Sequence, residues 1–130
     1  MKIYYVPINL NEFNPLNLSI GEVEDFAYTE GMMEGDCLLL YFSQTGIDKF
    51  KKNNPAEYEK FPIEKSGFYM IARVKGGPYT SEKETDYLCG REVIDAEITH
   101  VDKNSPIVPY TVNSGWTYTE AKEISICVEF

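Results

Sequence analysis

The sequence predicts an α+β domain that is mainly β: a curled sheet or small barrel of five or six mixed strands with a few short helices. Three observations carry this expectation. The chain has 130 residues, of which 43% are hydrophobic and 14% aromatic, enough for one buried core and too few for two, so residues 1–130 read as a single domain. Strand-like runs of β-branched and aromatic residues nearly fill it. The helical signals are confined to the first half and do not alternate with strands as βαβ units, which disfavours a doubly wound parallel sheet.

Residues 3–8 (IYYVPI) form the first expected strand, and Pro7, which cannot donate to a ladder, belongs at its end, at a bulge or on a sheet edge. Asn9 ends the run. Ser19 and Glu22 are spaced as a capping box, and Ile20, Val23, Phe26 and Ala27 then share one helical face, so a short helix is expected over 20–28 with Gly31 after it. Glu34-Gly35-Asp36 reads as a tight turn into residues 37–43 (CLLLYFS), whose unbroken apolar character predicts a central strand buried on both faces. A polar, lysine-rich insertion follows at about 45–66, with two short helical turns and Asn54-Pro55 as a cap and first-turn proline. Residues 68–75 (FYMIARVK) are a strong strand, which Gly76-Gly77-Pro78 is expected to stop. Thr85 to Leu88 form a short run, Gly90 marks a hairpin turn or bulge, and the long alternating stretch 92–101 is a strand. Residues 103–119 read as loop around Pro106, Pro109 and Gly115, and 123–130 alternates as a final strand.

The composition narrows the chemistry. Met1 to Pro7 leads into polar and acidic residues rather than an apolar leader core, so a cytoplasmic location is expected. The longest apolar run, residues 37–42, is far short of the roughly 20 residues of a spanning helix, and no membrane partner is expected. Cys37, Cys89 and Cys127 are odd in number and widely spaced, which fits buried thiols in a reducing compartment better than a disulfide framework. His100 is the only histidine, so a two-histidine metal site is ruled out, and its place in an alternating run fits a strand residue rather than a catalytic base. No phosphate-binding glycine loop, nucleophile elbow or dinucleotide fingerprint is present. Neither catalysis nor a cofactor is expected.

The net charge of −9 argues against general coating of polyanions. Charge is nevertheless uneven. Between residues 49 and 75 seven bases (Lys49, Lys51, Lys52, Lys60, Lys65, Arg73 and Lys75) face three acids, a local +4, while the rest of the chain carries 5 bases and 18 acids. Such a tract could hold a nucleic-acid backbone, with Lys49, Lys51, Lys52, Arg73 and Lys75 as the contacts, or be a solvated insertion.

Gly35-Asp36 with the strand to Ser43, then Gly67 with residues 68–74 (FYMIARV), then Pro78-Tyr79, resemble in their order the EVE domain of the PUA-like superfamily. The opening residues 3–9 and Pro106-Ile107-Val108 fall in the matching order as well. The resemblance implies a PUA-like pseudobarrel and a noncatalytic module that recognises a modified base in DNA or RNA, or a modified nucleotide, through an aromatic pocket. A reader of this kind needs flat rings to stack on the base and amide or hydroxyl groups for its edge. Candidates are Asn9, Tyr41, Ser43, Tyr79 and Trp116. Strand alternation puts Tyr41 and Ser43 on one side and Phe42 on the other. The alternative function is an acidic protein-interaction domain that binds a basic partner.

Overall fold

The computed structural model describes residues 2–82 and 88–102 together with the backbone of 122–124. Trp116, Cys127, the loop expected over 103–119 and most of the run 85–88 lie outside the described residues, as does the end of the expected last strand. The elements in chain order are β1 (Ile3–Pro7), β2 (Val23–Ala27), β3 (Cys37–Phe42), α1 (Gln44–Asn53), α2 (Pro55–Lys60), β4 (Gly67–Thr80), β5 (Glu92–Val101) and β6 (Lys122–Ile124), with one 3-10 turn at Pro15–Asn17. They make an α+β, mainly β, domain. The six strands form one mixed sheet in the order β2-β5-β4-β3-β1-β6. Among the described residues only β1 and β3 run parallel, and the other pairs are antiparallel. Among the described residues the sheet is open, with β2 and β6 as its outer strands.

The centre follows the sequence closely. Leu38, Leu39 and Leu40 of β3 are fully buried, and they divide between two faces as a period-2 backbone requires. Leu38 and Leu40 enter the main core with Tyr4, Val6, Met70, Ala72, Ile94 and Ile98. Leu39 joins a smaller cluster on the opposite face with Tyr5, Cys37, Phe68 and Ile71. Ile47 and Phe50 of α1 and Tyr58 of α2 close the main core from above, at a spacing that fits one helical face. Asp36, at the turn into β3, is buried, and its carboxylate accepts from the backbone N–H of Lys2 at 3.0 Å and of Met33 at 2.9 Å. The start of β1 and the entry to β3 are thereby tied together.

Three expectations are corrected. Residues 20–28 are not a helix, because Gly21 adopts φ +95° and Gly21 and Glu22 together oppose Ile98: the Gly21 N–H donates to the Ile98 carbonyl and the Ile98 N–H to the Glu22 carbonyl, both at 2.8 Å. The capping-box contact does form, with the Glu22 carboxylate accepting from the Ser19 N–H, but it closes a turn that feeds a strand. Two residues of the supposed apolar helical face, Ile20 and Val23, stand 65% and 53% exposed. Gly76-Gly77-Pro78 does not stop the fourth strand either. Shifts of register at Val74/Gly76 and Gly76/Tyr79 absorb these residues, and β4 continues to Thr80 alongside β5. Finally, of the two short helical turns expected in the insertion, the first is a helix of 10 residues, while the second has 6 and starts with Asn54 as cap and Pro55 in its first turn as expected.

Candidate functional site

Parallel β1 and β3 end side by side, with Pro7 in register with Tyr41, and the chain beyond each end builds one cleft. Its volume is about 390 Å³ and its lining is Pro7, Ile8, Asn9, Asn11 and Glu12 after β1, and Ser43, Thr45, Gly46 and Lys49 at the start of α1. Crevices beyond the carboxyl ends of parallel strands are recurrent ligand sites, since two chains diverge there and leave backbone and side-chain polar groups between them. The volume lies in the range of small-molecule pockets, roughly 300–1,000 Å³.

Local chemistry fixes this geometry. The Ile8 N–H donates to the Tyr41 carbonyl at 2.9 Å, holding the two exits together. Asn9 accepts from the Asn11 N–H at 3.1 Å in an Asx turn, so its side-chain NH2 is the group it can offer a ligand. Ser43 is the N-cap of α1 and accepts from the Gly46 N–H at 3.1 Å. A side chain at Gly46 would place its Cβ 3.0 Å from Ser43 Oγ, a tight approach to which the hydroxyl would have to give way by a few tenths of an ångström. Gln44 then clamps the first turn to the loop before β4, donating to the Glu64 carbonyl at 2.9 Å and accepting from the Ser66 N–H at 3.2 Å. Thr45 and Lys49 are one helical turn apart on the solvent side of α1, opposite the buried pair Ile47 and Phe50.

The site residues expected from sequence therefore separate into groups. Asn9, Ser43 and Lys49 line one cleft. Lys52 follows Lys49 on the same exposed side of α1, whereas Lys51 turns aside and places its Nζ 5.3 Å from the centre of the Tyr58 ring. Arg73 and Lys75 are elsewhere. Arg73 is six residues along β4 from Gly67, the neighbour of Phe42, about 20 Å away at strand rise, and Lys75 pairs with Glu97 at 4.0 Å.

Tyr41 is half-buried on the smaller-cluster face, its ring centroid 5.1 Å from that of Tyr5 and 5.3 Å from that of Phe68. Alternation along β3 holds through Phe42, with Tyr41 on the face of Leu39, and the strand ends there: Ser43 turns away as the cap of α1, so the two do not share a pocket as simple alternation predicts. None of the nine lining residues is aromatic. Tyr79, 42% exposed, lies near the far end of β4 and donates its hydroxyl to Asp95 at 2.6 Å.

That hydrogen bond, then partial burial and the carboxylates of Asp95, Asp25 and Glu24, push the Tyr79 phenol up to about 12. Because the folded form holds its proton more tightly than an ordinary tyrosine near 10, this contribution to stability is complete below pH 10 and is lost as pH rises toward 12. A 13C NMR titration should show Tyr79 ionising well above the ordinary value near 10, and Asp95→Asn should bring it back toward 10. An unchanged midpoint in Asp95→Asn contradicts the assignment.

Residues that sequence reasoning missed are Asn11, Glu12 and Thr45. The available signal was Ser43 followed three residues later by Gly46, which marks where the helix begins. Of the cysteines, Cys37 is buried and its thiol is pushed up to about 11 by that burial, while Cys89 is exposed, against the expectation of a buried thiol. Among the described residues no helix is long and apolar enough to cross a membrane, and no group of three or more histidine, cysteine or acidic residues is placed to hold a metal. Comparison with family models, with curated proteins and with solved structures finds no match.

Proposed function

We propose that the protein is a noncatalytic binding module of the EVE-like, PUA-like kind, which recognises a modified base in nucleic acid, or a modified nucleotide, in the cleft between the end of β1 and α1. The observation that carries this reading is the convergence of Asn9, Ser43 and Lys49 on one cleft at the carboxyl ends of the parallel pair. The lining mixes donors with an acceptor: side-chain amides of Asn9 and Asn11, hydroxyls of Ser43 and Thr45, the Lys49 ammonium and the Glu12 carboxylate. Such a set suits the edge of a base, which presents both kinds of group, better than a bare phosphate, which presents acceptors alone. In this reading Lys49 and Lys52 follow the backbone, Trp116 is the candidate stacking plane, and the strands curl as a PUA-like pseudobarrel.

The test is titration of the full chain with matched methylated and unmodified oligonucleotides, read by fluorescence anisotropy. The proposal predicts a preference for the modified strand, with Asn9→Ala reducing that preference. Lys49→Ala should weaken binding to both strands by about tenfold, equivalent to about 1.4 kcal/mol. Equal binding of the two oligonucleotides, or variants that bind as the parent does, would falsify it.

A further inference from the structure

Among the described residues, the outer edge of β2 combines outward backbone groups of Val23 and Ala27 that no strand pairs, exposed apolar side chains and one sign of charge. Backbone pairing alternates along it: the Ile98 N–H donates to the Glu22 carbonyl and the Tyr28 N–H to the Glu92 carbonyl, so even-numbered residues turn toward β5 and Val23, Asp25 and Ala27 present their N–H and C=O groups outward. The Asp25 N–H is taken by the Glu24 carboxylate at 3.1 Å. The outward groups of Val23 and Ala27 have no hydrogen-bond partner among the described residues. Ile20 and Val23 beside them are 65% and 53% exposed. From Ile20 to Glu30 the chain carries four acids and no base: Asp25 is buried, Glu24 is half-buried, and Glu22 and Glu30 are exposed.

We propose that this edge docks an extended, lysine- or arginine-rich segment of a partner protein, which adds to the sheet as a further strand. An edge strand is a template for strand addition unless something blocks it, and here charge decides the occupant. A second copy of the chain would set carboxylates against carboxylates, which costs stability for directly opposed strands. A basic strand gains those contacts, places its own backbone on Val23 and Ala27, and covers Ile20 and Val23. The edge lies four strand positions from β1, about 19 Å at ordinary strand spacing, so this interaction is independent of the nucleotide cleft.

The experiment uses the full chain and a synthetic peptide of alternating lysine and valine, with an alternating glutamate and valine peptide as control. Anisotropy should show binding of the basic peptide only, weakening about tenfold between low and moderate salt. Amide exchange at Val23 and Ala27 should slow about tenfold on binding. The double variant E22Q/E24Q keeps the acceptors for the Ser19 and Asp25 N–H groups but removes charge, and should weaken binding about tenfold. Val23→Pro deletes an outward N–H while sparing the bonds to β5, and should weaken it independently. Absence of binding, equal binding of the acidic peptide, protection at amides outside β2, or self-association that protects the same amides without peptide overturns the proposal. Added oligonucleotide should leave peptide affinity unchanged, and competition between the two counts against a separate dock.

Discussion

Phe42→Ala is expected to cost about 3–5 kcal/mol of folding stability, the range for deleting a fully buried aromatic side chain. Phe42 is completely buried in the main core, and its ring meets Tyr69 edge-to-face at 5.8 Å and 74°. Two losses add: the transfer of the ring out of water, and the cavity left where β3 passes into α1, which the stiff central strands can collapse only in part. Phe42 also precedes the Ser43 cap, so the same substitution should loosen the first turn of α1 and the cleft wall. Urea unfolding checks the first effect and amide exchange at Ile47 the second. A loss below about 1.5 kcal/mol would mean that the ring is not packed as described.

Asp36→Ala should cost about 3 kcal/mol, because one buried carboxylate satisfies two backbone N–H groups, those of Lys2 and Met33. Hydrogen bonds to a charged group contribute about 1.5–3 kcal/mol each, and removing the acceptor leaves the donors to find water at the rim of the core. The Asp36 backbone also joins β4, accepting from the Val74 N–H at 2.9 Å, so the turn holds three strands in register. A fall in Tm of about 10 °C is the expected reading for a chain of this length. Glu34→Ala, two residues earlier in the same turn and exposed, serves as the control and should change Tm by little. Equal effects of the two substitutions would place the stabilisation in general charge reduction instead.

The sheet centre was legible because its signals agree at every level. Residues 37–42 are uniformly apolar and sit between neighbours on both sides, and the alternating stretch 92–101 became β5 with the same limits. Asn9 could be singled out because it ends the expected first strand, and Ser43 by its place at the end of the expected strand 37–43, although the structure makes it a helix cap. Other features depend on contacts that a single sequence does not display. The helical spacing of Ile20, Val23, Phe26 and Ala27 is accidental, since five residues with apolar side chains on both sides fit a strand equally well once Gly21 turns the chain onto Ile98. The continuation of β4 through Gly76-Gly77-Pro78 depends on bulges against β5. The separation of Tyr41 from Ser43 depends on β3 ending at Phe42, one residue short of the expected limit, so that Ser43 caps α1 instead of continuing the strand. Charge was the most misleading guide, because residues close in sequence, Lys49 to Lys75, are distributed over opposite ends of the central strands.

The central claim is that the cleft beyond β1 and β3 is where a modified nucleotide sits. The direct measurement is a 1H–15N NMR titration of the full chain with a methylated oligonucleotide. Saturable shifts of the Asn9, Asn11, Ser43, Gly46 and Lys49 amides, with Val93 and Asp95 on β5 unmoved, are the predicted result. Saturable shifts confined to other parts of the sheet, or no shift at the five cleft amides at saturation, contradict it.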